Sequence, residues 1–511
     1  MKKQGVKAAH QNDQFPNNQD KLIHTMDITK EKNEIHLQSY ENIVELINDS
    51  KIDKAISLAR EQNAEREIGE LLFKQGAKLL SSCKPFDNIS GEEGVRLIIK
   101  ATHLFPAFSN PAKDILWEFR QLEALLELCL RSKENSNKDL LNAALASNSL
   151  GNFHTTHHLY RILLERKGSE KYRFNYALSL LSLKRYREGF REYESRLEAH
   201  KGNWLDELNL KKWQGQDLTG KTIIIATEQG LGDVIQFITL IDKIVKEGTK
   251  IIIALRAPHV SLKKILMSHE NIHDVVIPTV VKNSQQYTFS AKADYYCYLM
   301  SLPHFLDINL DSISNTIPYL ASSKKHFKKW NRLSQGKTTF KIGIVWSTRL
   351  KISHDSQHLK DSTTARYKKV INLKELIPAL RHKSIAVFSL QKEINKQETM
   401  LLNDYDITNL TSSLDNFDDT AAAIEHMDLI ISIDTSVAHL AGALGKKVWT
   451  LLPYAADWRW QQNRDDCPWY PTMTLIRQSQ FADWISAIER VKKKLEEELS
   501  LWEARKHFNL P

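Results

Sequence analysis

The chain has 511 residues, 42% of them hydrophobic, and a formal net charge of +9 at pH 7. That length exceeds what one core usually supports, so two or three domains are expected, and no apolar run approaches the roughly 18 to 20 residues that span a bilayer. Basic and acidic residues are interleaved, as where Lys492-Lys493-Lys494 gives way to Glu496-Glu497-Glu498, which argues against a nucleic-acid surface and leaves a modest positive field suited to a phosphate-bearing small substrate. The polar start and the scattered Cys83, Cys129, Cys297 and Cys467, with no CxxC pair, point to a cytoplasmic protein with reduced thiols, without a zinc ribbon.

Residues 1–35 are rich in Gln, Asn, Asp and Lys without apolar periodicity, and a flexible leader is expected there. Residues 36–200 place apolar side chains at three- and four-residue steps and predict helices throughout. Within them a shift of 33 positions superimposes Asn142 on Asn175, Ala144 on Ala177, Leu150 on Leu183, Phe153 on Tyr186, Tyr160 on Tyr193 and Leu164 on Leu197. This resembles the tetratricopeptide (TPR) repeat of about 34 residues, whose stacked helix pairs offer a concave face to a protein partner or an acceptor. An irregular helical bundle is the alternative for the region before Asp139.

Residues 199–220 read as a linker, with Trp204 and Trp213 packing it down. Thr222-Ile223-Ile224-Ile225-Ala226 then reads as a buried strand, followed by the turn Glu228-Gln229-Gly230-Leu231-Gly232-Asp233, a helix over 234–245 and a strand over 250–255. That is a βαβ unit opening a parallel sheet, and residues 221–335 form the first α/β half. A dinucleotide fingerprint would need Gly at position 235, where Ile235 stands. Gly230 and Gly232 instead let a substrate approach the backbone, with Asp233 carried at the mouth of the sheet. A second half, residues 336–480, opens at Phe340-Lys341-Ile342-Gly343-Ile344-Val345-Trp346, with strands expected over 384–390 and 406–410 and a helix over 419–427.

Residues 429–445 read as strand, tight turn and helix: Leu429-Ile430-Ile431-Ser432-Ile433, then Asp434-Thr435-Ser436, then a small-residue segment carrying His439 and closed by Gly445. Asp434, Thr435 and Ser436 thus stand at the carboxyl end of a strand and the start of a helix, where backbone N–H groups and the helix dipole hold phosphate. Asp434 can equally be a simple helix cap, and His439 a packed side chain. Asp404-Tyr405-Asp406 is formally a D-x-D metal motif, but it precedes a strand and reads as a solvated turn. The aromatic group Tyr454, Trp458, Trp460, Trp469 and Tyr470 reads as packing between halves before a base- or sugar-stacking surface. Residues 481–511 contain an amphipathic helix from Trp484 to Trp502, expected to cross back to the first half.

Gly230-Leu231-Gly232-Asp233, Asp434-Thr435-Ser436-Val437-Ala438-His439, and the tail Leu452-Pro453-Tyr454-Ala455-Ala456-Asp457-Trp458-Arg459-Trp460 with Pro468-Trp469-Tyr470-Pro471 together resemble the bacterial tetratricopeptide-repeat glycosyltransferases related to the ADP-heptose:lipopolysaccharide heptosyltransferases. The resemblance covers roughly residues 140–480. It implies a GT-B fold, two Rossmann-like domains facing a cleft, behind an all-α TPR-like domain. Asp233 then matches the general base, and Asp434, Thr435, Ser436, Val437 and His439 the donor-binding motif. Ser347 and Thr348 match a hydroxyl pair on the donor phosphates. Past that pair the chain departs from the family pattern, and Lys351 is the nearest phosphate-binding lysine, with Lys369 a weaker one.

The implied activity is metal-independent transfer of a sugar from a nucleotide-sugar donor to a glycan, lipopolysaccharide or protein acceptor, without a cofactor, in the cytoplasm or at the inner face of the membrane. The alternative is a non-catalytic scaffold that binds partners through its helical repeats and keeps a silent glycosyltransferase domain. The discriminating question is whether Asp233 and the Asp434 motif face one cleft.

Overall fold

Apolar residues at helical spacing up to residue 199, and short runs of β-branched residues beyond it, build two kinds of layer. The computed structural model describes residues 45–47, 51–82, 88–119, 121–132, 135–199, 205, 210–280, 287–288, 292–309, 313, 316–333, 339–348 and 370–507. The expected leader, Cys83, Trp204, Lys351 and Lys369 lie outside them. The chain divides into two compact units, Met1–Ala124 and Leu125–Pro511.

The first unit is helical: α1 (Ile52–Glu61), α2 (Glu65–Ser82), α3 (Asn88–Leu104) and α4 (Ser109–Glu118) bury Ile68, Leu72, Leu97, Ile98 and Leu116. The ring of Phe73 on α2 stacks on Phe108 at 5.4 Å. Helix α5 (Leu122–Leu130) spans the division between units.

The second unit opens with two helix pairs, α6 (Asn137–Ser149) with α7 (Phe153–Lys167), and α8 (Glu170–Ser182) with α9 (Tyr186–Tyr193), followed by the short α10 (Arg196–Ala199). Their starts repeat at the spacing seen in the sequence. Ser136 caps α6 by accepting the Asp139 N–H, Ser169 caps α8 by accepting that of Tyr172, and Gly168 ends α7 in the left-handed region at φ 56°. A Cβ at Gly189 would stand 2.6 Å from Leu181 Cδ2, so α8 and α9 cross closely only because that position is glycine.

A five-stranded parallel sheet follows, in the order β1-β7-β2-β3-β4. Its strands are β1 (Lys211–Lys212), β2 (Thr222–Ala226), β3 (Lys250–Ala254), β4 (Asp274–Val276) and, after a small antiparallel hairpin of β5 (Thr279–Val280) and β6 (Tyr287–Thr288), β7 (Tyr295–Tyr298). The helix expected over 234–245 is shorter. It is α-helical as α11 (Leu231–Phe237) and tightens to a 3₁₀ turn over Ile238–Ile244. The β-branched residues Ile238, Thr239, Ile241 and Ile244, whose χ1 freedom a helix restricts, occupy that second half.

The second sheet is six-stranded and parallel, in the order β10-β9-β8-β11-β12-β13. It comprises β8 (Phe340–Val345), β9 (Ile385–Ser389), β10 (Thr408–Asn409), β11 (Leu429–Ile433), β12 (Val448–Leu452) and β13 (Met473–Arg477). Between β10 and β11, helix α12 (Phe417–Glu425) starts two residues before its expected place, because the Asn416 side chain accepts the N–H groups of Asp418 and Asp419. Helix α13 (Ser436–Ala443) follows β11. Strands β2 in the first sheet and β8 in the second each have neighbours whose connections leave in opposite directions, which opens a crevice at the carboxyl ends of β2/β7 and of β8/β11.

The terminal helix α14 (Trp484–His507) buries Trp484, Ile488, Val491, Leu495 and Leu499, at about 1.5 to 3 kcal/mol for each fully buried side chain of this size. Contrary to the expected crossing, among the described residues it packs on the second half and not on the first. Its buried side chains share one core with Phe340, Ile342, Trp346, Leu376 and Ile431 of the second half, and Lys447 pairs with Glu498 at 2.6 Å. Only residues 478–483 separate β13 from the helix, and that short tether lays it on the adjoining face of its own sheet.

Candidate active site at the facing sheet ends

The turn after β2 is built under constraint. Gln229, not a glycine, takes the left-handed conformation at φ 60°, an uncommon state for a side-chain-bearing residue. Two groups hold it. The His259 Nε2 lies 2.9 Å from the Gln229 carbonyl, which can only accept, so that nitrogen carries the proton. The Gln229 amide donates to the Tyr193 hydroxyl at 2.7 Å, and that hydroxyl lies 3.0 Å from its Oε1. Burial lowers the His259 pKa and raises that of Tyr193.

The neighbouring Glu228 is buried and receives Arg196 Nη2 at 2.6 Å, Arg196 Nε at 3.1 Å and the Met300 N–H at 3.0 Å. Arg196 also reaches Glu194 at 2.6 Å and donates to Ser301 Oγ at 2.8 Å. Burial alone would lower the Arg196 pKa, but Glu228 and Glu194 outweigh it and hold the guanidinium charged. The second helix pair is therefore bonded directly to the turn that carries Asp233.

Asp233 is the third residue of α11, and its side chain is 23% exposed. Its Oδ2 accepts the Gly230 N–H at 2.8 Å and so caps its own helix. Its Oδ1 receives Arg459 Nη2 at 2.7 Å. Arg459 is buried, and its Nη1 meets Asp457 Oδ1 at 2.9 Å. Its guanidinium lies over the Trp458 ring at 4.5 Å and near the Phe237 ring at 5.7 Å. Desolvation would lower its pKa, but Asp457 and Asp233 outweigh it and hold the guanidinium firmly charged.

In the second half, Thr435 and not Asp434 is the N-cap of α13: its hydroxyl takes the Ala438 N–H at 3.5 Å and lies 2.9 Å from Ser432 Oγ. The N–H groups of Ser436 and Val437 belong to the first turn, which cannot pair them within the helix. Val345 stands opposite Ser432 across β8 and β11, so continuing the register places Ser347 opposite Asp434 at one level of the sheet edge. The Ser347 backbone is fixed there by Gln391, which accepts its N–H at 3.2 Å and donates to its carbonyl at 3.0 Å. Thr348 is half-buried beside it.

The two edges touch. A Cβ on Gly232 would stand 2.7 Å from His439 Cδ2, so the missing side chain makes room for an imidazole. His439 is buried, stacks on Trp460 at 5.0 Å, places Nδ1 3.0 Å from the Tyr470 hydroxyl, and holds Nε2 3.7 Å from Asp434 Oδ1. Trp458, Trp460, Trp469 and Tyr470 are buried as packing, with Phe237 of the first half against Trp458 and Trp469, while Tyr454 is exposed. The D-x-D residues lie at the end of the helix Lys396–Asp404 and in the turn after it. A groove of about 780 Å³ lined by Arg381, Lys383, Ile385, Tyr405 and Asp406 contains none of the predicted site residues.

The sequence assigns no site role to Arg459, Tyr193 or the Arg196–Glu228 pair. The signal for Arg459 was its place between Trp458 and Trp460, since a cation in an aromatic stretch that becomes buried must find a carboxylate.

Among curated proteins the chain is similar to Protein FlbA of Caulobacter vibrioides, 24% identical over 341 residues, which are 63% of this chain and 54% of FlbA. The chain thus spans about half the length of that relative. Among solved structures it is similar to a glycosyl transferase family 9 protein from Veillonella parvula, at 10% identity and a TM-score of 0.39, over 55% of this chain and 97% of that one. It is also similar to the E. coli ADP-heptose lps heptosyltransferase II, at 12% identity and a TM-score of 0.34, over 56% and 99% of the two chains. The sequence profile of Glycosyltransferase family 9 (heptosyltransferase) matches residues 366–483, the stretch that holds β9 to β13 and the Asp434 motif. That stretch of the second half is thus similar to the glycosyltransferase family 9 (heptosyltransferase) domain.

Proposed function

We propose that the chain is a GT-B glycosyltransferase that moves a sugar from a nucleotide-sugar donor to a hydroxyl or amide of a glycan or protein acceptor, with Asp233 as general base. The observation that carries this reading is the contact between Gly232 and His439, which joins the Asp233 turn and the Asp434 motif at the carboxyl ends of two parallel sheets. In this reading the donor diphosphate lies against the Ser436 and Val437 N–H groups, with Ser347 and Thr348 beside it, and Lys351, which lies outside the described residues, is kept as the phosphate-binding lysine that the sequence suggests. Asp434 and Thr435 shape the turn, and His439 forms its floor. The acceptor gives its proton to Asp233 as its oxygen or nitrogen bonds to the sugar carbon. The bond from that carbon to the phosphate oxygen breaks, and the nucleoside diphosphate leaves with the electron pair. The departing charge is met by N–H and hydroxyl donors, so the scheme calls for no metal. Helices α6 to α9, read as TPR-like, lie beside the acceptor side of the site and select the acceptor.

The test is a thermal-shift and calorimetric panel of nucleotide sugars on the full chain, followed by transfer and donor-hydrolysis assays. A bound donor at about 100 times its dissociation constant adds roughly 2.7 kcal/mol of stability. Absence of binding and turnover with every donor sinks the enzyme reading and favours the scaffold.

A further inference from the structure

We propose that Arg459 is a positioning residue for Asp233: it reaches from the second half into the first and fixes the carboxylate plane from which the proton is taken. The inference rests on the transferase reading above and adds to it a residue with a defined role.

The geometry is that of a hook anchored before it engages. Asp457 Oδ1 accepts both the Arg459 backbone N–H at 3.0 Å and its Nη1 at 2.9 Å, which sets the guanidinium with Nη2 directed away from its own loop. Trp458 lies under one side of it at 4.5 Å. Nη2 then meets Asp233 Oδ1 at 2.7 Å, while the Gly230 N–H holds Oδ2 at 2.8 Å. With one bond on each oxygen, the carboxylate cannot rotate about its own axis. A carboxylate has about four lone-pair directions, so two remain with fixed orientation, and the 23% exposure of the side chain leaves them reachable from solvent.

A structural explanation accounts for this less well. A helix-capping Asp needs only the Gly230 N–H, and replacing a buried ion pair with apolar residues of similar volume is often neutral or stabilising. Here a guanidinium is buried in an aromatic nest, and its Nε finds no partner among the described residues. Stability is poorly served by that arrangement, whereas orientation of the base needs just such a fixed donor, as a base in a nucleophile–base pair is oriented by a third group. The helix pair behind it is part of the same support. Gln461 donates to the Tyr186 hydroxyl at 2.9 Å, and Phe190 meets Trp458 edge-on at 5.6 Å, so the loop that carries Arg459 is seated on α9.

The experiment compares parent, R459Q, R459K, D233N and the double variant D233N/R459Q in the full chain, measuring kcat, donor Kd by calorimetry and melting temperature. A misplaced base loses about 10²-fold in kcat for R459Q, with donor Kd unchanged within about two-fold, and R459K recovers part of the loss. Because Arg459 acts through the carboxylate, the double variant turns over no more slowly than D233N, within about two-fold. Losses that multiply in the double variant, a donor Kd that weakens in step with kcat, or a parental rate in R459Q overturns the positioning role while leaving the transferase reading in place. If R459Q fails to fold, R459K and D457N, which releases the anchor and keeps the cation, decide by the same non-additivity against D233N. A parent that turns over no donor overturns the transferase reading and this role together.

Discussion

Replacing Asp233 by Asn keeps an oxygen for the Gly230 N–H and removes the ability to take a proton, but it also leaves Arg459 with Asp457 as its remaining carboxylate partner. Because a partner of a charged hydrogen bond is lost, the stability cost is about 1 to 3 kcal/mol, more than for a cap alone. Turnover falls about 10² to 10⁴-fold if Asp233 is the base, and donor affinity, which the proposed site assigns to the other half, stays nearly the same. Steady-state rates beside thermal melts check this, and a parental rate returns Asp233 to a cap. Gly232 makes a separate prediction. An added Cβ would stand 2.7 Å from the His439 ring, which is wedged between Trp460 and Tyr470 and cannot yield freely. Gly232→Ala therefore lowers stability by about 1 to 3 kcal/mol as an overpacked contact, read from the urea midpoint. An unchanged midpoint would show that the two sheet edges part at no cost.

The turn after β2 and the start of α13 illustrate which features of an element are legible in sequence. Apolar runs ended by small polar residues gave away β2, β8 and β11, and the strand-turn-helix around Asp434 was readable because its helix begins where the run stops. The strain was not. Positive φ falls on Gln229, beside two glycines that do not need it, because His259 and Tyr193 hold it from distant segments. Capping by Thr435 in place of Asp434 was likewise undecidable locally, as either oxygen suits the position. His259 gives the turn a pH dependence. Burial keeps its ring neutral in the fold, with a pKa below the ordinary 6.5, so below about pH 6.5 the unfolded chain binds the extra proton and stability falls as pH drops. Melts of H259N between about pH 7.5 and 5 should show a shallower fall than the parent's, while an identical slope would place the titration elsewhere. At α13, Ser436→Asp puts a negative charge where the donor diphosphate is proposed to lie. Calorimetry is expected to show donor binding lost with the fold retained, and unchanged affinity would remove this helix from the donor site.

At the scale of the whole molecule, the 33-residue repeat was legible because helix spacing and small crossing residues recur in the sequence, and the starts of α6 and α8 keep that spacing. The compact-unit division at Ala124 was not, since it falls inside a continuous helical pattern and depends on which helices share a core. The destination of α14 was misread for a similar reason. An amphipathic face states that a partner exists without naming it, and the short tether after β13 chose the sheet of its own half. The division makes a thermodynamic prediction. Each unit buries its own apolar residues, so calorimetric unfolding of the full chain should depart from a single two-state transition. Leu97 is fully buried in the first unit, and Leu97→Ala should lower one transition by about 2 to 5 kcal/mol while sparing the other. A nucleotide sugar bound at the proposed site should raise the spared transition alone, since a ligand stabilises only the cooperative block that holds its site, by roughly 2.7 kcal/mol at 100 times its dissociation constant. If the mutation and the ligand move the same transition, the chain unfolds as one block, and a mutation in the helical unit will then change donor binding through stability rather than through recognition.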